Sequence, residues 1–414
     1  MYTQIKQCRI CGNSNLVQVV DLGEQYLTGV FPKQKNHQHV TKGPLRLVKC
    51  HGKENVCGLL QLEHSYSLDE MYGDNYGYRS GLNASMVKHL HSKVKKILQL
   101  TSLKANDLVI DIGSNDGTSL GAYPENLDLL GVDPTGAKFR QYYKPHVNLI
   151  PDFFTFKKVA EFRPNKRAKV ITSFSMLYDL EEPVKFAQEV AAVLDPNNGI
   201  WVFEQSYMPT MIERLAYDTI CHEHLEYYGL KQIAWMMEKA GLKIVDVELN
   251  DVNGGSFSVV AANKNSEVKV NTIAVEAMLA SEKSDGYETL VPYKQFFERI
   301  KKSREELTAF IDKANANGKK VYGLGASTKG NVVLQYCGFT DQDIHSIGEV
   351  NPDKFGVFAP GTAIPIQDEK EVLASGPDYL LVLPWHFRRF FLENSHFKGH
   401  NLLFPLPTLE VVKP

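Results

Sequence analysis

The chain has no apolar run near the ~20 residues that span a bilayer. Its best candidate, Tyr379-Leu380-Leu381-Val382-Leu383, stops at Pro384 and reads as a buried strand. It also lacks the basic and apolar opening of a signal peptide, because Met1-Tyr2-Thr3-Gln4 leads straight into a polar, cysteine-bearing segment. A cytoplasmic protein with no membrane partner is expected. Charge of one sign is scarce. The formal net charge is −2, so no global field draws in DNA, RNA or an anionic membrane, and no nucleic-acid polymer is expected as partner. Basic runs are short; Lys93-Val94-Lys95-Lys96 reads as a solvated helix face. There is no internal repeat and no low-complexity tract, which excludes a solenoid. Cysteines number six, and four of them crowd into the first 57 residues. That crowding suits a metal site in a reducing compartment better than disulfides.

What is present is an ordinary globular composition, long enough at 414 residues for two or three domains. Residues 1–80 are Cys-, Gly- and Tyr-rich with short strand-like pieces. A helix is expected from about Asn83 to Leu98, with Met86, Val87, Leu90, Val94, Ile97 and Leu98 on one face. Residues 100–265 alternate apolar strands, at Leu108–Ile112, Leu129–Asp133, Ala168–Thr172 and Gly199–Phe203, with helical stretches such as Val184–Leu194. Such alternation argues a mainly parallel sheet covered on both faces. Residues 266–288 read as a linker or helical connection. A helix from about Tyr293 to Asn315 follows and ends at Gly318, and a second α/β unit opens at Lys320-Val321-Tyr322-Gly323-Leu324-Gly325.

Asp111-Ile112-Gly113-Ser114-Asn115-Asp116-Gly117 joins a strand to a helix. Gly113 and Gly117 permit a tight turn and close backbone approach at the carboxyl end of a parallel strand, where such folds bind ligands. Asp133 ends the next strand, where a carboxylate can accept ribose hydroxyls. Asp152 and Phe153 follow the third, where an acid can hold an adenine amino group and a ring can pack on the purine. The ordered set of Asp111, Gly113, Asn115, Gly117, Asp133, Asp152 and Phe153 points to S-adenosylmethionine. A nicotinamide-dinucleotide fold and plain turn glycines stay open on spacing alone.

Cys8-Arg9-Ile10-Cys11 is a knuckle, and Cys50 and Cys57 form a second pair, wider than the usual spacing. Four thiolates complete tetrahedral zinc and leave no open position, so Cys8, Cys11, Cys50 and Cys57 are assigned a structural Zn2+. His51 is a possible substitute ligand. The segment Tyr217-Asp218-Thr219-Ile220-Cys221-His222-Glu223-His224-Leu225-Glu226-Tyr227-Tyr228 packs proton-transfer groups densely. Its His-Glu-His is not the zinc-protease spacing. At most one of the two histidines is expected to face substrate, and a packed polar helix start is the plain alternative. Gly323 to Asn331 follows a strand and opens a helix, so its amides can cradle phosphate, with Lys329 supplying charge and Asn331 and Glu349 nearby. His386 and Arg389, after the strand Tyr379–Leu383, suit an anion or sugar contact, although surface solvation fits an arginine there equally well.

On these residues the chain resembles the bacterial three-part nucleotide-sugar C-methyltransferases over essentially its whole length. The cysteine set with Gly58-Leu59-Leu60-Gln61-Leu62 resembles that family's zinc-binding domain, and Asp111–Gly117 its cofactor motif. Asp218-Thr219-Ile220 with His222-Glu223-His224 resembles its catalytic motif. Gly254-Gly255-Ser256, Gly323–Asn331 and Pro360–Ile366 match further blocks. The resemblance implies an α/β protein: a central Rossmann-like class I methyltransferase domain (81–265), a small N-terminal zinc-binding domain (1–80) and a C-terminal second Rossmann-like domain (266–414). It implies methyl transfer to a carbon next to the ketone of a nucleotide-linked keto-deoxysugar. His224 is then the base, Glu223 its partner, His222 a further member, and Tyr76 or Tyr78 a tyrosine from the N-terminal domain. Cys221 stands where family members acting on antibiotic-pathway sugars carry tyrosine, and Trp385-His386 where Trp-Asn is common. O-methylation of a sugar or related metabolite, and a non-catalytic donor-binding relic, are the rival expectations. A monomer or dimer is expected.

Overall fold

The computed structural model describes residues 2–36, 40–67, 70–71 and 78–414. Tyr76 lies outside them. In the N-terminal part, β1 (Tyr2–Gln4), β2 (Leu16–Tyr26), β3 (Lys42–Cys50), β4 (Leu60–Leu62) and β5 (His64–Tyr66) are antiparallel where they pair. The middle of the chain supplies β6 (Leu108–Ile112), β7 (Asp128–Val132), β8 (Asn148–Ile150), β9 (Ala168–Phe174), β10 (Ile200–Ser206), β11 (Glu226–Tyr227), β12 (Leu242–Asn250) and β13 (Ser256–Asn263).

All of these except β11 form one sheet in the order β12-β13-β10-β9-β6-β7-β8. Only β13 runs against its neighbours. Every residue of β6 is buried, as an apolar run covered on both faces requires. The chain leaves β6 toward β7 and β8 on one side, then returns to β9 and β10 on the other. That reversal opens a crevice at the carboxyl ends of β6 and β9.

β11 leaves this sheet and becomes the edge of the N-terminal one, in the order β11-β4-β3-β2. Glu226 pairs with Gln61 and Tyr227 with Leu60. The segment 217–228, open to a reading as a helix start, is instead one 3-10 turn at Tyr217–Thr219, a loop and this two-residue strand.

The C-terminal part holds β14 (Val321–Leu324), β15 (Ile347–Glu349), β16 (Ile366–Asp368), β17 (Tyr379–Val382), β18 (Leu402–Phe404) and β19 (Glu410–Val412), ordered β16-β15-β14-β17-β18-β19. A second reversal lies at β14. Its long entry helix, Val291–Ala316, ends just before Gly318, which adopts φ +68°. The stretch 266–288 carries a helix at Thr272–Ser284.

One expectation is corrected. Lys93 is buried, 5% exposed, rather than solvated on its helix (Ala84–Leu100). Its ammonium lies 2.7 Å from Glu204 at the carboxyl end of β10 and 2.6 Å from Glu248 on β12. A buried ammonium needs such partners. The helix is thereby bound to the sheet by charge as well as by Val94 and Ile97. Among the described residues, no helix is long and apolar enough to cross a membrane.

Candidate active site and metal centre

The crevice at β6 is shaped by its two glycines. Gly113 and Gly117 have φ +72° and +75°, and a Cβ on Gly117 would come within 2.9 Å of the Tyr143 ring. A side chain at either position would narrow the cradle. Asp111 is buried and accepts from Thr172 Oγ1 at 2.6 Å. Burial, reinforced by Asp133, pushes its carboxyl up to about 7. Asp133 accepts from Asn115 N at 2.8 Å on one oxygen, and from Thr135 N and Oγ1 at 2.6 Å on the other. Its first oxygen keeps a lone pair for a ligand hydroxyl. Asp152 is ion-paired with Lys158 at 2.7 Å, and Phe153 presents a ring 51% exposed. Asn115 does something the sequence did not reveal. Its side chain accepts from Ser80 N and donates to the Tyr78 carbonyl, while Asp116 accepts from Gly81 N. Residues 78–81 are thus laid over the loop, with the Tyr78 ring half exposed beside it.

The two histidines lie in different surroundings. His222 is 1% exposed, with its ring edge-on to Tyr66 at 4.6 Å and neither nitrogen hydrogen-bonded. Burial pushes its pKa down to about 3. His224 is half-buried, its ring centroid 4.3 Å from that of Tyr178. Its Nδ1 lies 2.8 Å from the Thr219 carbonyl. A carbonyl only accepts, so Nδ1 carries the hydrogen and Nε2 keeps a lone pair. Burial and the Lys329 charge push His224 down to about 4, so the ring is neutral at neutral pH. Glu223 is half-buried and its carboxyl lies against Gly29 of the N-terminal part, which Thr328 Oγ1 of the C-terminal part also approaches. Burial pushes its carboxyl up to about 7. All three parts of the chain therefore meet around Gly29. Cys221 has no exposed surface and lies in an apolar cluster.

Lys329 donates to the Asn253 carbonyl at 2.9 Å. Its charge reaches His224, Asp218 and His386. Asp218 is fully buried and accepts from Trp385 Nε1 at 2.8 Å, and His386 packs against Gly254. The buried Nδ1 of His386 has no hydrogen-bond partner. Asn331 donates instead to the Thr28 carbonyl at 2.8 Å and so joins the N- and C-terminal parts. Glu349 accepts from the Val350 and Asn351 amides. Arg389 faces solvent, paired with Glu393 four residues on. Sequence reasoning missed Tyr178 and Trp385 as neighbours of the histidine and Asp218, and Lys354, which is nearly buried and donates to the Ala326 carbonyl at 2.8 Å. None belongs to a recurring spacing.

The four N-terminal cysteines fit a metal. Their sulfurs lie within 4.8 Å of one another. Cys8–Cys57 and Cys11–Cys50 are 3.4 and 3.5 Å apart, near the ~3.8 Å edge of a tetrahedron with ~2.3 Å zinc–sulfur bonds. The wide second pair closes because Cys50 ends β3 and Cys57 precedes β4. His51 is not part of the group.

Three family models match successive segments of the chain. A model described as "Putative zinc binding domain" matches residues 8–72, a methyltransferase domain model matches 86–247, and a C-methyltransferase C-terminal domain model matches 251–407. The C-methyltransferase NovU of Streptomyces niveus is 30% identical over 418 residues, covering 99% of this chain and 97% of the relative. Among solved structures, an S-adenosylmethionine-dependent methyltransferase from Clostridium acetobutylicum is 12% identical (43% of this chain, 92% of that one, TM-score 0.33). The plantazolicin methyltransferase BpumL is also 12% identical (44% of this chain, 87% of that one, TM-score 0.36). Likenesses at these scores carry no functional information.

Proposed function

We propose a reaction from the premise that this chain belongs to the C-methyltransferase family, as an S-adenosylmethionine-dependent enzyme with a structural zinc site. The acceptor we propose is a nucleotide-linked keto-deoxysugar, methylated on a carbon beside its ketone. Residues 1–80, 81–265 and 266–414 serve as zinc-binding, donor-binding and nucleotide-sugar-binding units of a cytoplasmic enzyme. The observation that carries the reading is the geometry of His224: half-buried, with Nδ1–H held by the Thr219 carbonyl, which leaves the Nε2 lone pair to accept a proton.

The bound donor supplies an electrophilic methyl group. The chain's own work is to make and hold the nucleophile. His224 Nε2 takes the proton from the acidified ring carbon, and Glu223, its neighbour, offsets the imidazolium. Lys329 places positive charge beside His224, where negative charge grows on the ketone oxygen. Gly113 and Gly117, with Asp111, Asn115, Asp133, Asp152 and Phe153, form the donor crevice. The Gly323–Asn331 loop with Lys329 receives the nucleotide diphosphate, Glu349 accepts from a ribose hydroxyl and His386 contacts the sugar, while Asn331 serves by tying the loop to Thr28. Tyr78, already seated on the cofactor loop, takes the tyrosine role; the buried Cys221 offers no phenol there.

The test is a panel of nucleotide-linked 4-keto sugars with methyl donor, the product read by mass and by carbon connectivity. His224→Asn is expected to lower turnover at least ~100-fold, the scale of positioned proton transfer, with donor affinity unchanged. Full turnover in that variant would remove His224 as base. A methyl found on oxygen would replace carbon transfer with the ether-forming reading.

A further inference from the structure

Arg9 sits inside the metal knuckle between Cys8 and Cys11, yet its guanidinium serves another purpose. It donates to the Leu62 carbonyl and Ser65 Oγ, both at 2.8 Å. Its Nε lies 3.7 Å from Glu226 Oε1, and the side chains are 3% and 0% exposed. Neither Glu226 oxygen has a hydrogen-bond partner. Nε donates to the half-exposed Glu181 at 3.4 Å.

Glu226 lies two residues beyond His224. Between them, Leu225 is held at both backbone groups. Its amide donates to the Tyr178 carbonyl at 2.7 Å, and its carbonyl accepts from Leu62 N at 2.8 Å. Tyr178 is also the ring against His224. His224 and Glu226 line one small cavity. The backbone that carries the histidine is therefore set by β4, which follows directly on Cys57.

A two-residue strand has almost no pattern to fix its register, and a slip of one residue turns every side chain to the other face. Here a slip would put Leu225 or Tyr227 where Glu226 stands and would turn His224 out of the site. Buried charge pairs are poor sources of stability but good determinants of register. We infer that Arg9 and Glu226 are positioning residues, a buried guanidinium–carboxyl contact through which the zinc knuckle sets the register of β11 and hence the aim of His224. This rests on the reading of His224 as the base.

The experiment compares Arg9→Met, Arg9→Lys, Glu226→Gln and the Arg9→Met/Glu226→Gln double variant in the zinc-loaded full-length enzyme. Zinc content, donor affinity by calorimetry, kcat, acceptor KM and amide exchange over residues 220–230 are measured. Arg9→Met and Glu226→Gln are each expected to lower kcat about 10- to 100-fold, as small misplacements of a reacting group do. KM, zinc content and donor affinity stay within about twofold on the same footing. The double variant loses no more than the worse single one, exchange quickens, and Arg9→Lys recovers part of the rate. Single variants with near-normal kcat, fully additive losses, or losses that track missing zinc would overturn the inference. If His224→Asn is inactive while these variants are normal, only the guanidinium–carboxyl contact fails. If His224→Asn is active, the base assignment fails on its own.

Discussion

Burial works in opposite directions on Asp111 and His224, because it disfavours whichever form is charged. Asp111 is raised to about 7. Its folded form holds a proton that the unfolded chain has lost, so this group costs stability progressively as pH rises from about 4 to 7, and costs nothing below that window. Over three units at 1.36 kcal/mol each the cost reaches about 4 kcal/mol. Asp111→Asn should therefore raise the melting temperature at pH 7 and not at pH 4. It should also weaken donor binding, since a cationic ligand is what ionises the acid. In the parent enzyme that ionisation releases a proton, and the calorimetric heat of donor binding should vary with the buffer's ionisation enthalpy. A buffer-independent heat would mean that Asp111 does not titrate on binding. For His224, Lys329 is one of the causes that hold the ring near 4. Lys329→Met removes that repulsion, so the acid limb of kcat/KM should move upward, toward the ordinary histidine value, by up to about one unit. An unmoved limb would show that the charge does not reach the ring. The residue types at both positions were legible in the sequence, since acids after strands and a histidine pair suggest these roles. Their protonation was not, because it depends on what covers them.

At the level of elements, legibility followed length and burial. β6, β9 and β10 read as apolar runs because both their faces are covered. The helix Ala84–Leu100 read from its apolar stripe, and its start is capped by Asn83, whose side chain accepts from the Ser85 and Met86 amides. β11 could not be read, since two residues have no period. Nor could Lys93, which looks like any surface lysine until the acids opposite it are placed. The loop Gly113–Gly117 was legible as a turn, but its tightness comes from Tyr143, far along the chain. Gly117→Val meets both the positive φ and that ring. It should cost about 1–3 kcal/mol in stability and at least tenfold in donor affinity, by thermal melting and calorimetry. Gly121→Ala, where the nearest atom to a new Cβ is 3.7 Å away, should change neither appreciably.

Across the whole molecule the small N-terminal part is joined to both of the others. The N-terminal unit gives its sheet edge to β11, and the end of β2 and the loop after it bond the helix Thr328–Cys337 through Gln335 and Asn331. Such joints between distant segments are invisible to any local pattern, which is why the assembly was not legible in the sequence. Pairing β4 with β11 also has a consequence for synthesis. β4 leaves the ribosome well before its partner, with the donor-binding unit still to be made in between. At ordinary elongation rates that interval is on the order of ten seconds, during which β4 presents an open edge able to pair with another nascent chain. The reaction centre cannot close until that wait ends, so a protein slow to find its own β11 would be recovered as aggregate rather than as inactive monomer.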